Sequence, residues 1–174
     1  PPAPVVAGLT PTEFTSAAGA VGAIAPDGVV MITGNLAKDT YTLKASVPEG
    51  SRVKAFQLEV LPDPSLPAQG PGRAGNGNFV LSRFAVAHGV PGKPETPTAV
   101  TFVAAKASFE QANHGAAGGG NGKPHTATFE LPADLTLPAG APLAITFDQQ
   151  YGDGQHAIGK FRLSVIQEPP AAAP

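Results

Sequence analysis

YTLKASV, residues 41–47, places Tyr41, Leu43, Ala45 and Val47 on one side of an extended chain and Thr42, Lys44 and Ser46 on the other. Successive side chains of a strand point to opposite faces, so the pattern is that of a strand with one buried face and one wet face. The same period of two returns in Phe56, Leu58 and Val60, interleaved with Gln57 and Glu59 and closed by the turn Pro62-Asp63-Pro64. It returns again where Phe161, Leu163 and Val165 alternate with Lys160, Arg162 and Ser164, in a strand expected over residues 157–166. Further strands are expected over residues 100–109, 125–131 and 143–147, and Val80, Phe84 and Val86 would share a face. Residues 23–25 and 29–33 flank Pro26-Asp27-Gly28, whose Asp-Gly step is a hairpin-turn signal.

Composition sets the bounds. A chain of 174 residues, 42% hydrophobic, is long enough for one domain with a substantial core. Its 20 prolines and 21 glycines punctuate the sequence so densely that no segment of about fifteen residues reads as an unbroken helix. The expected fold is therefore all-β, an antiparallel β-sandwich of roughly eight to ten strands, with Greek-key packing preferred over a closed barrel. With a net charge of -2 and 11 scattered basic residues, the chain lacks the electrostatic footprint that a phosphate backbone requires, so nucleic acid is not an expected partner. No apolar run approaches a bilayer span, so no membrane insertion is expected. The chain contains no cysteine, which excludes disulfides and thiolate metal sites. It opens PPAP and closes PPAAAP, so residues 1–10 and 169–174 read as proline/alanine-rich linkers around a single domain at 11–168, a module of a longer protein.

GPGRAGNGNFVLSRF, residues 70–84, has several glycines close together and then runs into an apolar segment. Such a turn brings backbone close either to a ligand or to a neighbouring strand. Phe79 and Leu81 would fall on the face opposite Val80, which makes both faces apolar. This motivates a competing reading in which the domain packs against neighbouring domains or identical copies. Residues 113–122, NHGAAGGGNG, form a low-complexity loop.

LPDPSLPAQGPGRAGNGNFVLSRFAV (residues 61–86), KPHTATFEL (123–131) and FDQQYGDGQHAIGKFRLSV (147–165) occur in an order that resembles an accessory domain of large exported bacterial proteins with planctomycete-type cytochrome c domains. DGVVMITGNLAKDTYTLKASV (27–47) extends the resemblance over most of the chain. The resemblance implies a galactose-binding-like jelly roll, the sandwich class that includes many carbohydrate-binding modules. Members of that family usually carry an Ala-Ile-Asp-Gly step and a Gly-Trp pair where this chain has its glycine-rich loop at 113–122. Any ligand contact made through that aspartate or tryptophan is absent here.

A sugar site on a sandwich joins an aromatic platform to planar polar groups that fork onto hydroxyl pairs. This chain has no Trp and two Tyr, and nearly all of its nine Phe lie at core positions. Tyr151, in the polar turn DQQYGDGQH at residues 148–156, is the best platform. With Gln150 and His156 beside it, and Arg73, Asn76 and Asn78 in the glycine loop, it completes the candidate set for a polysaccharide. Each residue also has a structural reading: turn side chains capping backbone groups, asparagines serving left-handed turns, and Arg73 paired with a carboxylate such as Asp63.

The histidines His88, His114, His125 and His156 show no recognised ligand spacing, so no metal triad is expected, and His125 and His156 fit hydrogen bonding at strand ends. The resemblance leaves room for a structural calcium ion, for which Asp39, Asp63, Asp148, Asp153 and Glu168 are available without any Asp-rich loop to assign it. No other cofactor is expected. Ser65, Ser82 and Ser164 lie outside any nucleophile elbow, and the G-x-G steps precede a strand whereas phosphate loops open a helix. The expected role is that of a non-catalytic module.

Overall fold

The computed structural model describes residues 3–50, 52–75, 77, 79–90, 93–107, 125–150 and 154–169. Twelve strands are found among them: β1 (Val5–Leu9), β2 (Glu13–Ser16), β3 (Ala20–Ile24), β4 (Val30–Gly34), β5 (Asp39–Ser46), β6 (Val53–Val60), β7 (Arg83–Val90), β8 (Lys93–Ala99), β9 (Ala104–Ala107), β10 (His125–Glu130), β11 (Pro142–Gln149) and β12 (Lys160–Gln167). One short 3₁₀ turn, Pro67–Gln69, interrupts the long β6–β7 connection.

The strands form two antiparallel sheets. One runs β3-β4-β12-β6-β10-β9, with β1 also paired to β12, and the other runs β2-β5-β11-β7-β8. The chain changes sheet at each step from β4 to β7 and again from β10 to β12, which is the winding of a jelly roll. The core lies between the sheets. Tyr41, Leu43 and Ala45 of β5 point inward with Phe56, Leu58 and Val60 of β6 and Phe161, Leu163 and Val165 of β12, as the alternation requires. Rings from the two sheets meet there: Phe84 stacks on Phe129 at 4.2 Å between centroids, and Phe147 meets Phe161 edge-on at 4.8 Å. Such contacts add to the hydrophobic burial that holds the layers together.

The Asp-Gly hairpin is present between β3 and β4. Gly28 has φ +87°, Ala25 N donates to Val29 O at 2.8 Å, and Asp27 Oδ1 accepts from Val29 N at 3.1 Å.

Several expectations need correction. The strands outnumber the expected eight to ten. Residues 5–9, read from composition as linker, form β1 and pair with β12 from Val5↔Gln167 to Leu9↔Leu163. β8 had no signal in the sequence, and the strand expected over 100–109 is confined within the described residues to β9, while 108 and 109 lie outside them. The loop at 70–84 does not run straight into a strand: β7 begins at Arg83, and residues 79–82 cross the end of the sandwich. Val80 N donates to His156 O at 2.9 Å and Ser82 N to Asp148 O at 2.8 Å. Phe79, Val80 and Leu81 are all buried, so the doubly apolar segment belongs to the domain's own core and presents no apolar face to a partner.

The loop glycines serve the backbone. A Cβ at Gly70 would lie 2.3 Å from the carbonyl oxygen of Gly77, and Gly77 itself has φ +79°. Two backbone segments touch at a distance no other residue allows.

Candidate functional site

One end of the sandwich gathers the starts of β5, β7, β10 and β12 and the ends of β4, β6 and β11, because these strands are antiparallel neighbours. The β6–β7 and β11–β12 connections carrying the residues expected to bind ligand therefore meet at this end. Arg73 N donates to Ala157 O at 2.8 Å, and an isolated bridge joins Gly72 to Ile158. From there the Arg73 guanidinium reaches the end of β4, donating to Asn35 O at 2.9 Å and Gly34 O at 2.6 Å. Asp63, the carboxylate considered as its partner, instead accepts from Lys160 Nζ at 2.9 Å and from Ser65 Oγ at 2.6 Å. The hydrogen bonds from Ser65, followed by that from Lys160, pull the Asp63 carboxyl down to about 2.

Gln150 also has structural partners. Its amide nitrogen donates to Ser82 Oγ at 3.1 Å, and its Nε2 donates to Asp148 Oδ1 at 2.8 Å. His156 accepts Val80 N through its carbonyl oxygen, in the segment that precedes β12. Asn76, Asn78 and Tyr151 lie outside the described residues, as does His114. Tyr41 cannot serve as a platform: it is fully buried, donates to Ile158 O at 3.1 Å, and burial pushes its hydroxyl up to about 12. Arg73 and Gln150 thus face different neighbours, one the end of β4 and the other the outer face of the five-stranded sheet.

The carboxylates considered for calcium are engaged as well. Asp39 is buried and accepts from Ser16 Oγ, from Ala18 N at 3.0 Å and from Thr40 N at 2.7 Å. Asp148 accepts from Thr40 Oγ1 at 3.1 Å, and Glu168 from Arg52 Nη1 at 2.8 Å, while Asp153 lies outside the described residues. Among the described residues no three His, Cys, Asp or Glu side chains form a group that could hold a metal ion. His125 opens β10 and is buried, which pushes its imidazole below the ordinary range. No helix among the described residues is long and apolar enough to cross a membrane.

A site the loops did not suggest lies on the outer face of the five-stranded sheet. The register aligns Asp148 of β11 with Thr40 of β5 and with Arg83 of β7. Two residues along, Thr146 lies between Thr42 and Ala85, and two further, Ala144 lies between Lys44 and Ala87. Thr40, Arg83, Ala85, Thr146 and Asp148 enclose a groove of about 260 Å³. Continuing along β11, a second groove of about 410 Å³ is bordered by Lys44, Ser46, Ala87, Pro97, Pro142 and Ala144. The seven residues of β11 from 142 to 148 span about 20 Å at the usual strand rise. Arg83 is exposed and makes no hydrogen bond or ion pair with the described residues, and the register sets its five N–H groups on the strand next to an acceptor, the side chain of Asp148.

No family model matches this chain, and no curated protein is similar to it. A solved carbohydrate-binding module of the β-sandwich superfamily, described for its promiscuous specificity, is similar to it in structure, with a TM-score of 0.40 and 13% sequence identity. The alignment covers 95% of this chain, which spans only 56% of that one.

The grooved face was not legible as a site, because Thr40, Arg83 and Asp148 are far apart in sequence. The available signal was an outward position on each of three strands occupied by a group able to hydrogen-bond a hydroxyl.

Proposed function

We propose that this domain is a non-catalytic module that binds a neutral polysaccharide on the outer face of its five-stranded sheet. The alignment of Arg83, which is unpaired among the described residues, with Asp148 across neighbouring strands carries the reading. A guanidinium donates and a carboxylate accepts, so together they satisfy both roles of a vicinal diol. Thr40 and Thr146 add hydroxyls, and the small side chains of Ala85, Ala87 and Ala144 leave room for a sugar ring to approach the sheet. A strand-borne site is also stiff, which lowers the ordering cost of binding. The motifs at 61–86, 123–131 and 147–165 support placement in a large exported bacterial protein with planctomycete-type cytochrome c domains, where the module would hold its host to a glycan surface. Of the loop set, Gln150 contributes by orienting Asp148.

Affinity gel electrophoresis with neutral polysaccharides tests this. Wild type should be retarded by at least one of them, and Arg83→Ala and Asp148→Asn should each weaken binding roughly tenfold, about 1.4 kcal/mol, with unchanged melting temperature. Undiminished retardation of both variants would remove the sheet face from consideration. No retardation of wild type by any glycan would remove the sugar reading itself.

The competing assembly reading has one observation in its favour. β3, with the sequence AVGAI, is an outer strand with neither charge nor proline, and Val21 is 59% exposed. β8 at the rim of the other sheet contains two prolines, which cannot donate to a further strand. If copies pair through β3, light scattering will show a dimer that Val21→Lys converts to monomer.

A further inference from the structure

A cleft of about 410 Å³ lies between the end of β4 and residues 65–67, and it is separate from the grooved sheet face. Met31, Leu36, Leu66 and Pro67 supply apolar wall, and Arg73 borders the same space. The Arg73 side chain is held in place: its two terminal nitrogens are bonded to the Gly34 and Asn35 carbonyls, and its stem packs beside Leu66 over Gly159.

Like Arg83, this arginine has no carboxylate partner among the described residues, but unlike Arg83 it is fixed in place by hydrogen bonds. Arg52 is paired with Glu168 and Arg162 with Glu59, but Arg73 meets neutral groups among the described residues, the Gly34 and Asn35 carbonyls and the Tyr41 hydroxyl, with no carboxylate in an ion pair with it. Carbonyls orient a guanidinium without neutralising it. Lys160 is already paired with Asp63 at 2.9 Å, so it offers no second free charge. An immobilised, unneutralised cation beside low-dielectric walls attracts an anion more strongly than a mobile surface arginine does. The guanidinium N–H groups that the two carbonyls leave over suit a carboxylate, and one positive charge balances one negative charge, whereas a phosphate dianion would call for a second cation. Apolar walls favour a ligand whose remaining surface is apolar over a polyhydroxylated one.

We propose that this cleft binds a monoanionic carboxylate carried on a short apolar body, of the class of the aryl carboxylates. The carboxylate lies against Arg73 and the body against Leu36, Leu66 and Pro67. The proposal stands independently of the sugar reading.

Titration of ¹⁵N-labelled protein with cinnamate, cinnamamide and glucuronate, followed by amide shifts, tests it. Cinnamate should give saturable shifts at Gly34, Leu36, Leu66 and Arg73, and the neutral amide and the polar uronate should each bind at least roughly tenfold more weakly. Arg73→Gln should lose the preference for cinnamate over cinnamamide. Because that variant also removes bonds to the β4 end, Thr33→Glu, a change at an exposed position on the rim, provides a second check and should abolish cinnamate binding while leaving the remaining spectrum unchanged. Equal binding of the amide, equal binding of glucuronate, unchanged binding to Thr33→Glu, or no saturable shift with cinnamate up to about 10 mM would each overturn the proposal.

Discussion

Asp39 accepts hydrogen bonds from Ser16 Oγ, Ala18 N and Thr40 N, and so ties the corner between β2 and β3 to the start of β5. Ser16 Oγ in turn accepts from Ala20 N at 2.9 Å. Asp39→Ala strands these donors in a buried place, and chemical denaturation should show a loss of about 3 kcal/mol. Two residues contribute to the acid limb of stability. Burial lowers the His125 imidazole pKa, so the unfolded chain binds its proton first, and the stability it contributes is full above pH 6.5 and declines below. The Asp63 pKa is about 2 in the folded state against an ordinary 3.8, so its contribution is full above the ordinary value and disappears as pH falls between the two. Urea midpoints measured from pH 8 to pH 2 should fall in two stages, and Asp63→Asn should lack the lower one. The sequence named Asp39 and Asp63 as acids, but not their partners, which come from other strands and loops.

At the scale of elements, strands with one wet face were legible and strands without one were not. β5, β6, β11 and β12 show buried and open positions in alternation, because each has neighbours on both sides and a core beneath it. β1 is mostly exposed and β8 contains prolines, so neither has a period of two strong enough to announce it. They are strands because β12 and β7 offer them free edges, which is tertiary context overriding propensity. The glycine loop is set by contact at a distance of its own kind. Gly70→Ala forces a Cβ into the Gly77 carbonyl and should cost about 3 kcal/mol, measured as a drop in melting temperature, whereas Gly75→Ala, with open space around it, should be near neutral.

For the molecule as a whole, the phenylalanines join the layers. Phe129 of β10 stacks on Phe84 of β7 across the sandwich, so Phe129→Ala should remove about 3–5 kcal/mol in denaturant unfolding. That is a large share of the stability of a typical domain. The same antiparallel winding places Val5 opposite Gln167 at one end of the sandwich, while Arg73, Gln150 and His156 belong to the other. By itself, the sequence determined the all-β class, the inward faces of the main strands and the Asp-Gly hairpin, since alternation and turn chemistry act over a few residues. Only the tertiary structure decided that β1 and β8 are strands, that Phe79 and Leu81 are core, that Arg73 holds carbonyls instead of Asp63, and that Thr40, Asp148 and Arg83 share one row. Each of these depends on register between strands distant in sequence, which is settled by packing two sheets together and not by any local pattern.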